Sequence, residues 1–231
     1  MTVSNLVSNL NWTEMMQAES VQKKPISGYL SAEWTAGSTL NTLIFAAIHG
    51  DEPESVTLIE AWAKQWPLEN TDCPLVGIIP VLNPDGFAAK TRVNANGVDL
   101  NRNFPTANWG EPHDESKYHG GPSPASEPET QFLIETLNTY SPQKIISIHT
   151  PYRVINYDGN ALELAEEMAK HTGYPVVSDI GYPTPGSFGN YCAHVKQIPL
   201  ITLELPEGEA FTEVELANNI AALNHAVLFN G

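Results

Sequence analysis

An imidazole and a carboxylate stand three residues apart, His49 and Glu52, where the strand-forming run Thr42–Ile48 gives way to a glycine and acids. Two more reactive side chains close runs of the same kind: His149 follows Lys144–Ile148, and Glu204 follows Leu200–Leu203. Two imidazole nitrogens and one carboxylate, with a fourth position open, make a catalytic zinc ligand set. The His-x-x-Glu spacing lets one turn carry both groups to a single ion, and the second histidine arrives from a neighbouring strand. Glu204 beside the ion could then take a proton from the attacking water. Each residue alone has a plainer reading. A lone HxxE is common by chance, a lone His149 is a satisfied core or loop histidine, and a lone Glu204 is a strand-end partner for any cation. Their joint placement at strand ends is what points to a metal. His113, His119, His171, His194 and His225 fall in a loop, or on or beside helical stretches, and read as structural or exposed.

The surrounding chain alternates short apolar runs with longer helical patterns. It predicts strands at Ile26–Glu33, Thr42–Ile48, Leu75–Leu82, Lys144–His149, Arg153–Tyr157, Val176–Ser178 and Leu200–Leu205. It predicts helices at Pro53–Gln65, Pro128–Tyr140, Ala161–Thr172, Phe188–Val195 and Thr212–Leu228. Ser126 with Glu129 reads as a capping box for the second of these helices. Such alternation implies an α/β fold. Residues 1–231 are expected to form one compact domain on a mixed, mainly parallel twisted sheet with helices on both faces. In open sheets of this kind ligands bind beyond the carboxyl ends of the strands, which is where His49, His149 and Glu204 fall. Gly50 is expected to permit the tight turn between His49 and Glu52. The stretch Asn83–Ser126, rich in Gly, Pro and Asn, reads as a long functional or disordered loop.

Composition narrows the partners. The 231 residues carry a formal net charge of -16 with only 11 Lys and Arg, which argues against nucleic acid, because phosphate binding needs clustered cations. No apolar run approaches the ~20 residues of a membrane span, and the N-terminal residues lack the charged and apolar regions of a signal peptide. A cytoplasmic protein with no membrane partner is expected. Cys73 and Cys192 form no CxxC and read as buried or half-buried thiols. Monomer and homodimer are both open.

Read together, His49-x-x-Glu52, Asn83-Pro84-Asp85-Gly86, Gly97-Val98-Asp99-Leu100-Asn101-Arg102-Asn103-Phe104, Ser147-Ile148-His149-Thr150 and Leu203-Glu204 resemble the zinc carboxypeptidase family. The resemblance runs from about residue 40 to about residue 206. It implies one Zn2+ per chain held by His49, Glu52 and His149, with Glu204 as general base and then acid. It implies that Asn101 and Arg102 bind the free carboxylate of the released residue, a task that suits the guanidinium fork. Asp99 would orient His49 through its other ring nitrogen.

The sequence departs from the family pattern in two places. The family's carbonyl-polarising arginine maps to Ala89 within Phe87-Ala88-Ala89-Lys90-Thr91-Arg92, so Arg92 is the expected oxyanion stabiliser. The family's mobile tyrosine is matched by Tyr182. Within the family, Arg92–Pro105, Tyr182–Gly189 and Ser126–Thr130 resemble the bacterial amidases that cleave murein tripeptide. This implies a small murein peptide substrate, L-Ala-γ-D-Glu-meso-diaminopimelate, cut at the γ-D-Glu–diaminopimelate bond. The charged far end of diaminopimelate would need polar partners, expected from the 105–126 or 182–190 loops. A deacylase resembling aspartoacylase or succinylglutamate desuccinylase, and a non-catalytic peptide-binding homologue, are the competing readings.

Overall fold

The computed structural model describes residues 12–35, 37–67, 73–111 and 118–230. His113 lies outside them. The strands are β1 Thr13–Glu19, β2 Pro25–Leu30, β3 Thr42–Ala46, β4 Val76–Ile79, β5 Lys144–His149, β6 Val154–Asp158, β7 Val176–Val177 and β8 Leu200–Glu204. They form one eight-stranded sheet in the order β1-β2-β4-β3-β5-β8-β6-β7. Its centre, β4-β3-β5-β8, is parallel. Antiparallel pairings join β1 to β2, β2 to β4 and β6 to β8. The helices are α1 Pro53–Gln65, α2 Pro84–Ala89, α3 Pro128–Tyr140, α4 Leu162–Thr172, the short α5 Phe188–Asn190 and α6 Glu213–Leu228.

The central strands are apolar on both faces because both are covered. Ile44 and Ala46 join one core with Ile59 and Trp62 of α1, Met168 of α4 and Leu223 of α6. Leu43 and Phe45 point the other way, to Phe132 and Leu133 of α3 and Phe188 of α5. Trp62 Nε1 donates to Asn224 Oδ1 at 2.9 Å and so ties α1 to α6. From β3 the chain passes through α1 to β4 on one side; it later returns to β5 on the other side of β3. That reversal opens a crevice at the carboxyl ends of β3 and β5.

Several elements differ from the sequence reading, each for a local reason. β3 stops at Ala46, two residues early, because Ala47 turns left-handed at φ 49°. That conformation costs a residue with a Cβ about 1–2 kcal/mol. It is held by Ala47 N–H donating to Ser55 Oγ at 3.2 Å and Asn83 N–H donating to Ala47 O at 2.9 Å. β1 was not foreseen: its residues are mostly exposed or half-exposed, and its partner β2 alone defines it. α2 emerges inside the expected loop, capped where Gly86 N–H donates to Asn83 Oδ1 at 2.9 Å. The helix expected over Phe188–Val195 is α5 followed by a π-helical stretch, Tyr191–Lys196. The capping box does not form. Pro128 opens α3 one residue late for it, so Glu127 is the N-cap and buried Glu129 accepts from Asn94 Nδ2. Gly50 lies in the turn between His49 and Glu52 and also permits a close approach: a Cβ there would lie 2.0 Å from the Gly86 carbonyl carbon and 2.2 Å from Phe87 N.

Candidate active site

Glu52 occupies the N-cap of α1, yet its side chain caps nothing. A capping bond is typically worth ~1 kcal/mol, and this carboxylate is used elsewhere. Its Oε1 lies 2.7 Å from His49 Nδ1 and its Oε2 lies 3.1 Å from His149 Nδ1. All three residues are buried, and one ligand atom from each falls within 4.8 Å of the others. Both imidazoles turn Nδ1 inward and anchor Nε2 outward. His49 Nε2 sits 3.1 Å from Asp99 Oδ1, and His149 Nε2 sits 2.8 Å from Ser147 Oγ. Among the described residues, buried Glu52 Oε2 accepts no aligned hydrogen bond, its contact with His149 Nδ1 being one of charge. Two Nδ1 donors and an orphaned carboxylate oxygen facing one point fit a divalent zinc ion, with the outer hydrogen bonds fixing ring orientation. Charges answer to the same cluster. Burial would lower the His49 pKa, but Glu52 and Asp99 overcome it and raise it to about 9. Burial would raise Glu52, but the two imidazoles pull it down to about 2.

Asp99 is fully buried and serves three elements at once. Its Oδ1 faces His49 and accepts from Asn101 N–H at 2.9 Å; its Oδ2 accepts from Arg92 Nε at 3.0 Å. The asparagines of this loop are its internal frame. Asn94 Nδ2 and Asn96 Nδ2 each donate to Glu127 Oε2 at 2.8 Å. Asn103 Nδ2 reaches Gly120 O, Ser123 O and Ser126 Oγ. A loop without regular ladders must satisfy its buried polar groups this way. The frame presents Arg92, Asn101 and Arg102 to one cavity of about 510 Å³ that also contains the His49–Glu52–His149 cluster, Glu204 and Tyr182. Arg92 and Arg102 both pack over the Tyr118 ring, at 5.2 and 5.1 Å. Asn101 Oδ1 accepts from Phe188 N–H, which holds α5 against the loop.

Parallel register places Glu204 of β8 directly beside His149 of β5. Burial raises its pKa, as a proton carrier needs. Tyr152 N–H approaches Glu204 Oε2 at 3.5 Å, and Tyr182 packs between Tyr152 and Tyr118 at the rim, 6.3 Å from each ring. Burial pushes the Tyr182 hydroxyl well above its ordinary value. The sequence reading gave no role to Ser147, although it shares a strand face with His149 two residues on. It also set aside His194, which lines this cavity. Asn156, Asp158 and Thr202 join from β6 and β8, outside the loops expected to supply polar groups, while Thr184, Ser187 and Asn190 do come from or near the 182–190 loop. A second triad, Glu167, His171 and His225, lies between α4 and α6. Its imidazoles stack at 3.9 Å with 23° between planes, so their lone pairs run side by side instead of converging.

Residues 68–181 match the family model for zinc carboxypeptidase. Over 185 residues the chain is 37% identical to murein peptide amidase A of Escherichia coli strain K12, spanning 74% of this chain and 73% of that one. The chain belongs to the zinc carboxypeptidase family. The matched span contains Arg92, Asp99, Asn101, Arg102 and His149; the fold brings His49, Glu52 and Glu204 to them from outside it. The murein peptide amidase A of Vibrio campbellii is 36% identical over 196 residues, 79% of this chain and 77% of that one. Among solved structures, murein-tripeptide amidase MpaA from Escherichia coli O157 superposes with a TM-score of 0.77 at 31% identity, covering 93% and 94% of the two chains. Carboxypeptidase A from Helicoverpa armigera shares the fold with a TM-score of 0.76 at 19% identity, covering 99% of this chain and 72% of that one. Among the described residues, no helix is long and apolar enough to cross a membrane.

Proposed function

We propose that this protein is a zinc-dependent amidase that hydrolyses the γ-D-glutamyl–meso-diaminopimelate bond of small murein peptides. The observation that carries the reading is the buried His49–Glu52–His149 cluster beside Glu204, in a chain 37% identical to murein peptide amidase A over three quarters of its length. The reading includes one zinc per chain and a bacterial cytoplasmic setting, the latter resting on sequence resemblance alone.

His49 Nδ1, Glu52 and His149 Nδ1 would hold a zinc ion, which would supply Lewis acidity toward water and the scissile carbonyl. The chain's own groups do the rest. Glu204 takes a proton from the attacking water on its carboxylate and returns it to the departing diaminopimelate amine; burial raises its proton affinity, which favours the first of these transfers. Arg92 has committed Nε to Asp99, which leaves its two terminal nitrogens to meet the carbonyl oxygen as it gains charge. Arg102, buried beside Asn101 and Tyr118, offers its fork to the leaving residue's α-carboxylate. Tyr182 and Tyr152 close the rim.

The test is mass spectrometry of L-Ala-γ-D-Glu-meso-diaminopimelate incubated with the protein. Free diaminopimelate and L-Ala-D-Glu are expected, and a zinc chelator should stop their release. Faster cleavage of N-acyl amino acids than of the tripeptide would overturn the reading in favour of a deacylase.

A further inference from the structure

Two guanidinium groups share one aromatic ring in the cavity. Arg92 Cζ lies 5.2 Å and Arg102 Cζ 5.1 Å from the centre of the Tyr118 ring. All three residues line the cavity that contains His49, Glu52 and His149. The two arginines have different tasks: Arg92 meets the oxygen of the scissile carbonyl, and Arg102 meets the α-carboxylate of the leaving residue. Neither task by itself calls for an aromatic ring.

The ring answers a difficulty that the pair creates. Polar bonds anchor one nitrogen of each guanidinium. Arg92 donates from Nε to Asp99 Oδ2 at 3.0 Å, and Arg102 donates from Nη1 to Asn101 O at 2.6 Å. A guanidinium anchored at one nitrogen can still tilt about that bond, and two cations in one cavity repel each other. The face of an aromatic ring is negative and attracts a cation within about 6 Å of its centre. Tyr118 therefore opposes both the tilt and the repulsion.

The ring also stands on a fixed base. His119 O accepts from Asp99 N–H at 2.9 Å, so the residue that anchors Arg92 is tied through its backbone to the neighbour of Tyr118. Gly120 O accepts from Asn103 Nδ2 at 2.7 Å and from Trp109 Nε1 at 3.2 Å. A Cβ at Gly120 would lie 2.5 Å from Arg102 O. Glycine there lets the segment lie directly against the backbone that carries Arg102. The Tyr118 ring stacks with Tyr182, 6.3 Å between centres and 22° between planes.

We propose that Tyr118 is a positioning residue whose ring is a shared platform for Arg92 and Arg102. It acts through the two arginines and fixes the distance between the carbonyl contact and the carboxylate contact. Recognition of the leaving residue and stabilisation of the developing oxyanion are thereby linked through one side chain. The proposal rests on the amidase reading above and adds to it the residue that holds its two cations in place.

The test compares two peptides on zinc-loaded protein: L-Ala-γ-D-Glu-meso-diaminopimelate, and the same peptide with the α-carboxylate of diaminopimelate converted to a carboxamide. The proteins are the wild type, Tyr118→Phe and Tyr118→pentafluorophenylalanine. Phenylalanine keeps the ring and its negative face, whereas pentafluorophenylalanine keeps nearly the same shape and reverses the charge of the face. The wild type should prefer the carboxylate, and Tyr118→Phe should preserve that preference. The fluorinated protein should show a higher KM for the carboxylate peptide, through Arg102, and a lower kcat for both peptides, through Arg92. Each change should be about 2- to 30-fold, the worth of one cation–π contact. A fluorinated protein that behaves as Tyr118→Phe does would show that the ring only fills space. An equal loss in both variants would assign the effect to the hydroxyl. Either result overturns the proposal. If the wild type cleaves neither peptide, the amidase reading fails by itself, and NMR of the arginine side chains decides the platform. The N–H resonances of Arg92 and Arg102, assigned by their loss in Arg92→Lys and Arg102→Lys, should hold their positions in Tyr118→Phe and move in the fluorinated protein. Matching spectra in those two variants would refute it.

Discussion

Replacing Asp99 by Asn tests how the site is held together. One carboxylate oxygen of Asp99 faces His49 Nε2 at 3.1 Å and Asn101 N–H at 2.9 Å, and the other accepts from Arg92 Nε at 3.0 Å. An asparagine can reproduce only the first half. With Oδ1 toward His49 and Asn101, its Nδ2 donors confront the Arg92 donor. The lost interaction is a hydrogen bond to a charged group, worth about 1.5–3 kcal/mol. It is little discounted by solvent, since the Asp99 side chain is 0% and the Arg92 side chain 23% exposed. The outer support of His49 also weakens when its partner loses charge, and such changes lower metal affinity about 10- to 100-fold. Two measurements follow. Urea unfolding of the metal-free protein should show a loss of roughly 2 kcal/mol. Competition with a zinc chelator should show the drop in affinity. Combining Asp99→Asn with Arg92→Ala should cost less than the sum of the two, because they remove the same contact. Unchanged stability and unchanged zinc affinity in Asp99→Asn would refute the idea that this carboxylate organises the site.

Glu204→Gln should cut hydrolysis by at least ~10² while zinc, measured by metal analysis, stays bound; retained turnover would remove Glu204 from proton transfer. Gly50→Ala forces a methyl to within 2.0 Å of the Gly86 backbone. It should destabilise the fold by about 1–3 kcal/mol or more in chemical denaturation and weaken zinc binding; a fully stable variant would show that the 50–86 contact can relax freely. Asp158→Asn should alter stability in a pH-dependent way. Burial raises the Asp158 pKa above its unfolded value, so the folded state disfavours the ionised form, and stability falls as pH rises through the folded pKa. In metal-free protein the variant should therefore gain more stability over wild type at pH 7 than at pH 4. An equal gain at both would detach the effect from ionisation.

The alternation of apolar runs was enough to place β5, α1 and α3 residue for residue, because each is a long buried element whose pattern matches its period. It did not place β1, whose exposed edge carries no such pattern, nor α2, a six-residue helix defined by one Asn cap and a proline. Glu52 shows why local rules fail at such a place: at an N-cap it should satisfy its own helix, and instead it faces two histidines, one from the turn after β3 and one from the end of β5. Residue types and their placement at strand ends nominated His49, Glu52, His149 and Glu204; Arg92, Asn101, Arg102, Asp99 and Tyr182 were nominated only by the resemblance to the family's motifs. Three things needed the fold. The left-handed Ala47 and the bare backbone of Gly50 aim His49 and Glu52. Strand register sets His149 beside Glu204. The antiparallel return of β6 brings Asp158 to the far wall of the cavity. Sequence carries the chemistry of single side chains, while distances between residues a hundred positions apart come only from how strands pair.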